Sequence, residues 1–253
     1  MSDRTPHHRG FTLVELLVSM AIGSIVLLTA ASLLGGGGDG YERAGGGIST
    51  EREARALMTQ LASDLSTARF HKDGVIEESS TKWRADRLGF LSLQPADAQS
   101  ESGRIGDLCA VNYYIKDLVS NGRTTRCLMR GFRESKDTFE ALKGDKVSTL
   151  FAERENIDEP VAFGVLSFEV KPKKRDTAGN WMDWVKSDDA GPEALEVKLV
   201  IVRRSLAGRL KQAADWDGGG STGKFLGSPA EVDRNKDLET FSALMRFGND
   251  ENP

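Results

Sequence analysis

The sequence has few of the side chains on which metal sites and many enzymes depend. Only three of its 253 residues are histidines, His7, His8 and His71, and two of them lie within the first ten positions. A site built from several histidines is therefore nearly excluded from the body of the chain. The two cysteines, Cys109 and Cys127, form no CxxC pair, so the chain has neither a zinc ribbon nor a thioredoxin-like motif.

A strong excess of one charge is also missing. Lysine and arginine number 34 against 38 acidic residues, for a net charge of -4. The surface therefore offers no basic field for phosphates, and we expect no nucleic-acid partner. No nucleophile–base pair and no cofactor motif is visible, which predicts a chain that is not an enzyme and holds no cofactor or metal. An anchored hydrolase, the alternative, would have to use His71.

What the chain does have is a long apolar run at its start. Residues 11–34 contain one charge, Glu15, and as a helix they would span roughly 36 Å, enough to cross a bilayer. Arg4 and Arg9 stand before the run, which by the positive-inside rule keeps residues 1–10 in the cytoplasm. We therefore predict one membrane span, with the remaining chain on the far side.

The lone carboxylate in this run indicates a function. Burying Glu15 in hydrocarbon costs on the order of 3 kcal/mol unless a cation offsets that cost. A cut between Gly10 and Phe11 would create an α-amino group four residues upstream, so proteolysis would supply the cation. Two other interpretations stay open: an uncleaved anchor that keeps residues 1–10, and a secretory signal that is cut near Ala31.

The string RGFTLVELLVSMAIGSIVLL resembles the class III signal of type IV pilins and of the pseudopilins of type II secretion. The resemblance implies that a prepilin peptidase removes a leader ending at Gly10 and that Phe11 becomes the N-methylated first residue. It further implies that Glu15 pairs with the terminus of a neighbouring subunit. The implied partners are other pseudopilins or minor pilins and an inner-membrane assembly platform.

Two patterns follow the apolar run. Residues 35–47 include eight glycines, which disfavour a helix by about 1 kcal/mol each relative to alanine and predict a flexible joint. From Thr50, which could form a capping box with Glu53, an amphipathic helix is predicted to about Phe70. Its apolar stripe, expected to pack on a sheet, consists of Ala54, Leu57, Met58, Leu61, Leu65 and Ala68.

Beyond residue 85 the periodicity becomes that of β-strands separated by turns. Asn121-Gly122 predicts a hairpin turn between the second strand and the third. One helix followed by antiparallel strands predicts an α+β domain over residues 48–253. The pilin resemblance implies a type IV pilin-like fold, in which this helix packs on an antiparallel β-sheet. The strands are predicted at residues 87–93, 108–116, 124–132, 162–171, 194–204 and 240–247.

A second resemblance narrows the family. The stretches LSFEVKPKKRDTAGNWMDWVKSDDAGPEALEVKLVIV and VNYYIKDLVSNGRTTRCLMR are similar to J-type minor pseudopilins, and the chain also resembles the C family of a verrucomicrobial pseudopilin-like cassette. Residues 207–237 have no counterpart in this pattern. The resemblance implies a minor pseudopilin whose periplasmic domain joins a short secretion filament. The alternative is a minor pilin of a type IV pilus, acting in initiation, adhesion or DNA uptake.

Several residues of the predicted domain allow more than one interpretation. Trp181 and Trp184 are expected to pack on the sheet, with a ligand site as the alternative. Cys109 and Cys127 fall on the two arms of the predicted hairpin. Either a disulfide worth about 3 kcal/mol or two buried free thiols would fit there.

Two loop segments resemble ion or phosphate sites. A calcium site built from Asp215, Asp217 and the 233–237 cluster is the alternative to an acid-rich solvated loop. Residues 218–225 have the GxxxxGK spacing of a phosphate loop but lack the Ser or Thr that would hold magnesium. We therefore predict no nucleotide site.

Overall fold

The computed structural model of the chain describes residues 13–69, 71–186 and 191–248, with the side chains of Glu15 and of residues 30–49 left out. The chain divides into two compact units between Gly45 and Gly46. The first helix, α1, comprises Leu13–Ser66.

The start of the amphipathic helix differs from the sequence prediction. Residues 35–47 have helical backbone, although their glycines predict a joint, and the boundary between the two units lies inside this segment. Thr50 lies within α1, so it does not begin a helix, and the capping box expected there is wrong.

Ten strands follow α1 among the described residues, and they form two antiparallel sheets. In chain order the strands of the first sheet are β1 (Ala68–Arg69), β2 (Val75–Glu77), β3 (Arg87–Leu93), β4 (Leu108–Ser120), β5 (Arg123–Arg133) and β6 (Glu159–Phe163). The strands of the second sheet are β7 (Val165–Arg175), β8 (Trp181–Asp183), β9 (Ala194–Val202) and β10 (Leu238–Arg246).

The strand order of the first sheet is β1-β3-β4-β5-β6, with β2 pairing beside β1 on β3. The order of the second sheet is β10-β9-β7-β8. The helices after α1 are short: α2 (Ser135–Lys143), α3 (Arg204–Ala207), α4 (Ala213–Trp216) and α5 (Gly220–Gly223), with 3-10 turns at Ala96–Ala98, Val147–Phe151, Lys224–Leu226 and Pro229–Arg234.

Most of the predicted strands are confirmed, and the hairpin turn is where the sequence places it. Asn121 and Gly122 have φ of 51° and 71°, as a two-residue hairpin loop requires. The single strand predicted at 162–171 is wrong, because Gly164, with φ of 73°, divides it into β6 and β7, which belong to different sheets. A left-handed residue ends the ladder of one sheet and redirects the chain into the other.

The main core lies between α1 and both sheets. The predicted stripe is confirmed at Ala54, Leu57, Leu61 and Leu65, all buried, whereas Ala68 lies beyond the helix in β1. An α+β arrangement of helix and antiparallel sheet is therefore established, with two sheets where one was expected. The partners of the stripe include Leu88, Phe90, Val111, Leu128, Val165, Phe168, Val170, Leu195, Val197, Leu199, Ile201, Met245 and Phe247.

Residues 203–237 cover the face of the second sheet that does not face α1. They include residues 207–237, which have no counterpart in the J-type pseudopilin pattern. Trp216 is 1% exposed, and its Nε1 donates to the carbonyl of Thr124 at 3.2 Å, which ties the segment to the β4–β5 hairpin. The segment therefore completes the fold and joins one sheet to the other. This second core consists of Trp83, Leu166, Val200, Val202, Leu206, Leu210, Trp216, Leu226, Val232 and Leu238.

Replacing Trp216 tests this packing. We expect Trp216→Ala to lower the free energy of unfolding of the purified chain by about 3–5 kcal/mol in urea denaturation, because a large aromatic side chain leaves a cavity. The control is Phe225→Ala in the same segment, since Phe225 is half-exposed. Equal losses from the two variants would contradict the assignment of Trp216 to the core.

Candidate functional site

The described beginning of α1 exposes apolar side chains on every side. The polar side chains described in this segment are Ser19, Ser24 and Thr29. The hydroxyls of Ser24 and Thr29 each donate to the carbonyl four residues earlier, of Met20 and Ile25, both at 2.8 Å. The hydroxyls therefore need no partner outside the helix. The exposed apolar residues are Leu13, Val14, Leu16, Leu17, Val18, Met20, Ile22, Ile25, Val26, Leu27 and Leu28.

The predicted processing and assembly residues fall at the edge of the described chain. Gly10 and Phe11 lie outside the described residues. Glu15 belongs to the backbone of α1, and its side chain lies outside the described part. Within the ranges that the structure describes, no helix is long and apolar enough to cross a membrane.

A buried acid fixes the later part of α1 to the first sheet. Asp64 is 1% exposed; its Oδ2 accepts from Tyr113 Oη at 2.6 Å and from Arg130 Nε at 2.8 Å, and its Oδ1 accepts from Arg130 Nη2 at 3.1 Å. A two-pronged guanidinium contact defines both distance and angle. Asp64 therefore sets the position of the helix along β4 and β5.

The electrostatics of this cluster follow from burial and mutual charge. Burial, followed by the charge of Asp64, raises the pKa of Tyr113 well above its ordinary value. Burial alone would lower the pKa of Arg130, but the hydrogen bond to Asp64 and its charge outweigh burial and raise that pKa. Both shifts favour a neutral Tyr113 as donor and a charged Arg130.

A second buried ion pair holds the loop that follows α2. Asp158 accepts from Arg133 Nη1 at 2.6 Å, from Tyr114 Oη at 2.8 Å and from the Arg154 amide at 2.9 Å. Burial by itself would raise the pKa of Asp158, but these donors lower it. The second donor nitrogen of Arg133, Nη2, reaches the carbonyl of Ala152 at 2.9 Å. The cluster is structural, since it is enclosed.

The disulfide between Cys109 and Cys127 is not formed: both are free, buried thiols. The strand register sets Cys127 opposite Lys116 on β4, while Cys109 lies opposite Ser92 on β3. The stretch of β4 from 109 to 116 is roughly 23 Å long, whereas disulfides need Cα atoms within about 7 Å. Burial raises the pKa of each thiol to about 12, so both thiols stay protonated and unreactive.

The aspartates of the calcium alternative are engaged within the fold. Asp215 accepts from the amides of Lys211 and Gln212 at 2.9 and 3.1 Å, and Asp217 accepts from Arg126 Nη1 at 2.9 Å. Across the described ranges, no three histidine, cysteine or acidic residues are grouped closely enough to hold a metal ion.

The remaining residues singled out from the sequence lie apart from one another. Nδ1 of His71 is 3.5 Å from the carboxylate of Asp73 in the loop after β1 and accepts from the Asp73 amide at 3.2 Å. Trp181 lies in β8 and is half-buried, with the guanidinium groups of Arg175 and Arg246 at 5.6 and 5.7 Å from the centre of its ring. The amide of Trp184 donates to the Pro172 carbonyl at 2.9 Å.

One comparison with known proteins identifies the start of the chain. Residues 5–31 match the prokaryotic N-terminal methylation motif. This prepilin-type signal marks the protein as a type IV pilin-like or pseudopilin substrate of a prepilin peptidase and suggests a membrane-anchored N-terminus. It contains Gly10, Phe11 and Glu15, which sequence reasoning had selected. A search of the curated proteins finds no match to the chain.

Sequence reasoning missed both buried ion-pair clusters. For Asp64 a signal was present, because residues 57, 61, 64 and 68 are spaced as one helix face and an acid on an apolar face requires a partner. For Asp158 and Arg133 there was none, because their meeting depends on a loop 25 residues downstream.

The Asp158 cluster predicts a defined acid dependence of stability. Because the folded pKa of Asp158 lies below its ordinary value, its contribution is complete above the unfolded pKa, near 4, and is lost as the pH falls through the folded pKa. At neutral pH we expect Asp158→Asn to cost about 3–5 kcal/mol, since it leaves Arg133 buried without its carboxylate. In urea titrations from pH 7 to pH 3 the free energy of unfolding of the Asp158→Asn variant should change less than that of the parent chain.

The control for this measurement is Asp137→Asn. Asp137 is half-exposed and its ion pair with Arg154 is 3.4 Å long, so its loss should change stability by no more than about 0.5 kcal/mol. A parallel acid dependence in the parent chain and Asp158→Asn would contradict the assignment.

Proposed function

We propose that this chain is a minor pseudopilin-like subunit with a type IV pilin-like fold. In this proposal a prepilin peptidase cuts between Gly10 and Phe11, and Phe11 is N-methylated. The α+β domain over residues 48–253 lies in the periplasm and joins a short filament that serves protein secretion. The chain acts mechanically, by ordered association with other subunits, and is not an enzyme.

The observation that carries the proposal is the prepilin-type signal at residues 5–31. The signal includes the glycine–phenylalanine junction and an acid at the fifth position after it. An acid is rare in an apolar run of this length because its burial is costly, so its coincidence with a cleavage junction four residues earlier favours a processed, assembling subunit.

The proposed role of Glu15 is to set the axial register between neighbouring subunits. When the helices leave the bilayer and pack together, Glu15 of one subunit can meet the α-amino group of Phe11 on the next. A buried ion pair adds little net stability, because desolvation offsets its attraction, but it penalises every register that leaves one charge unpaired. Methylation keeps the positive charge, so the pairing survives that modification.

The exposed apolar side chains of α1 support a helix that is surrounded by apolar material. Leu13 and Leu28 are 76% and 71% exposed, and between them apolar side chains are exposed on every side of the helix, interrupted by Glu15, Ser19 and Ser24. An amphipathic surface helix would instead carry a polar face. We propose that lipid covers residues 11–34 before assembly and neighbouring helices cover them afterwards, with Arg4 and Arg9 orienting the span.

The processing step can be tested by the mass and N-terminal sequence of the protein purified from its native host. We expect the chain to begin at methylated Phe11, because the junction lies within the matched signal. A chain made in a host without a prepilin peptidase is the control and should keep residues 1–10. An intact leader in the native host, or a start near Ala31, would refute the proposal.

The register role can be tested with Glu15→Leu in the native host. We expect normal cleavage and membrane insertion but at least tenfold less incorporation into filaments, since a mismatch of about 1.4 kcal/mol per contact gives a factor of ten. Val18→Leu, in the same apolar run, is the matched control. Normal incorporation of Glu15→Leu would exclude a role for the carboxylate in assembly.

A further inference from the structure

Two polar atoms of the first sheet are buried and make no hydrogen bond to the described residues. They are Oδ1 of Asn112, which is an acceptor, and Nε of Arg133, which is a donor. The two residues are 3% and 1% exposed. Leaving a buried polar atom without a hydrogen bond costs about 1–3 kcal/mol, so a folded protein rarely tolerates two such atoms together.

Asn112 and Arg133 lie beside each other on one face of this sheet. Asn112 of β4 is opposite Gly131 of β5, and Arg133 is two positions further along β5. Side chains of opposite residues, and of residues two positions apart, project from the same face. Their other nitrogens donate to consecutive carbonyls, Asn112 Nδ2 to that of Phe151 at 3.3 Å and Arg133 Nη2 to that of Ala152 at 2.9 Å. The two side chains therefore converge on the same turn.

Gly131 leaves the space in which these groups meet. A Cβ at Gly131 would collide with Asn112 Oδ1 and would come to 2.9 Å from Asp158 Oδ1. Asp158 Oδ1 in turn accepts from Arg133 Nη1 at 2.6 Å. The amide oxygen, the carboxylate and the guanidinium group therefore surround one small region, and it is enclosed because all three side chains are buried.

The spacing of the two atoms suits one bridging molecule. Two positions along a strand span about 6.6 Å, and the Arg133 guanidinium reaches back along that distance to the carboxylate beside Gly131. Asn112 Oδ1 and Arg133 Nε make no direct bond. Two successive hydrogen bonds of about 2.9 Å, made through one small molecule, span up to about 6 Å.

The chemistry of the two atoms selects the molecule. Asn112 keeps its orientation because Nδ2 donates to the Phe151 carbonyl, which the amide oxygen would repel. A metal or ammonium ion offers no acceptor to the Nε–H of Arg133. An anion offers no donor to Asn112 Oδ1, and the carboxylate of Asp158 would repel it. Water both donates and accepts, and it fills buried sites of this kind in many proteins.

We propose that one water molecule is bound in this region, donating to Asn112 Oδ1 and accepting from the Nε–H of Arg133. The carboxylate of Asp158 can accept its second hydrogen. The water joins β4 and β5 to the loop that contains Asp158, and it exchanges with solvent when that loop opens. This inference does not depend on the proposed function.

The test is NMR spectroscopy of the isotopically labelled full chain in detergent micelles. We expect a cross-peak between water and Hε of Arg133. The peak should have opposite signs in nuclear and rotating-frame Overhauser spectra, which marks contact with a bound water, whereas proton exchange gives the same sign in both. Hε of Arg209, an exposed side chain, is the internal control and should show exchange with solvent.

Two variants locate the source of the signal. Asn112→Leu removes the acceptor at nearly constant volume, and we expect the cross-peak at Arg133 to be lost. Tyr114→Phe removes the hydroxyl that donates to Asp158, a nearby exchangeable proton, and should keep the cross-peak. Thr138→Val is the matched control, because Thr138 is buried and its hydroxyl donates to the Glu134 carbonyl at 3.0 Å. It should also keep the cross-peak.

Three results would overturn the inference. The first is the lack of a bound-water cross-peak at Arg133 in the parent chain, a result that needs no variant and so decides the matter even if Asn112→Leu does not fold. The second is a cross-peak that persists in folded Asn112→Leu. The third is a cross-peak that disappears in Tyr114→Phe, which would assign the signal to the tyrosine hydroxyl.

Discussion

The packed part of the molecule depends on one helix face that must be buried on both sheets at once. Ala54, Leu57, Leu61 and Leu65 provide the apolar contact, which by itself would tolerate sliding along the sheet. Asp64 removes that freedom, because its carboxylate is buried and is held in place by Arg130 and Tyr113 of the first sheet. Residues of both sheets pack against this helix in one core.

The beginning of the same helix exposes its apolar side chains and does not bury them. From Leu13 to Leu28 its apolar side chains are exposed on every side, and the hydroxyls of Ser24 and Thr29 bond to their own backbone. A large exposed apolar surface marks a site of contact with a membrane or with another protein. The prepilin-type signal at residues 5–31 overlaps this segment, which is consistent with the proposed assembly of the chain into a filament.

The regular elements were predictable where a local repeat specifies them. The stripe from Ala54 to Leu65 has the helical period and β3 begins and ends where its residues predict. Gly164 was missed, because a single left-handed residue inside an apolar strand pattern leaves the pattern intact while sending the chain to another sheet. The cysteines show the same limit of local patterns. The hairpin was predicted, but its register places Cys127 opposite Lys116, seven positions from Cys109, and register is a property of the paired strands.

The sequence alone determined the processing signal, the lone acid at position 15 and the alternation of most strands, since each is a matter of side chains close together along the chain. Only the tertiary structure decided that residues 203–237 close the second core, that Asp64 and Asp158 pair with arginines, and that β10 lies at the end of the second sheet among the described strands. These features join positions 25 to more than 90 residues apart. Their pairing depends on how whole sheets are arranged in space, and local periodicity carries no record of that arrangement.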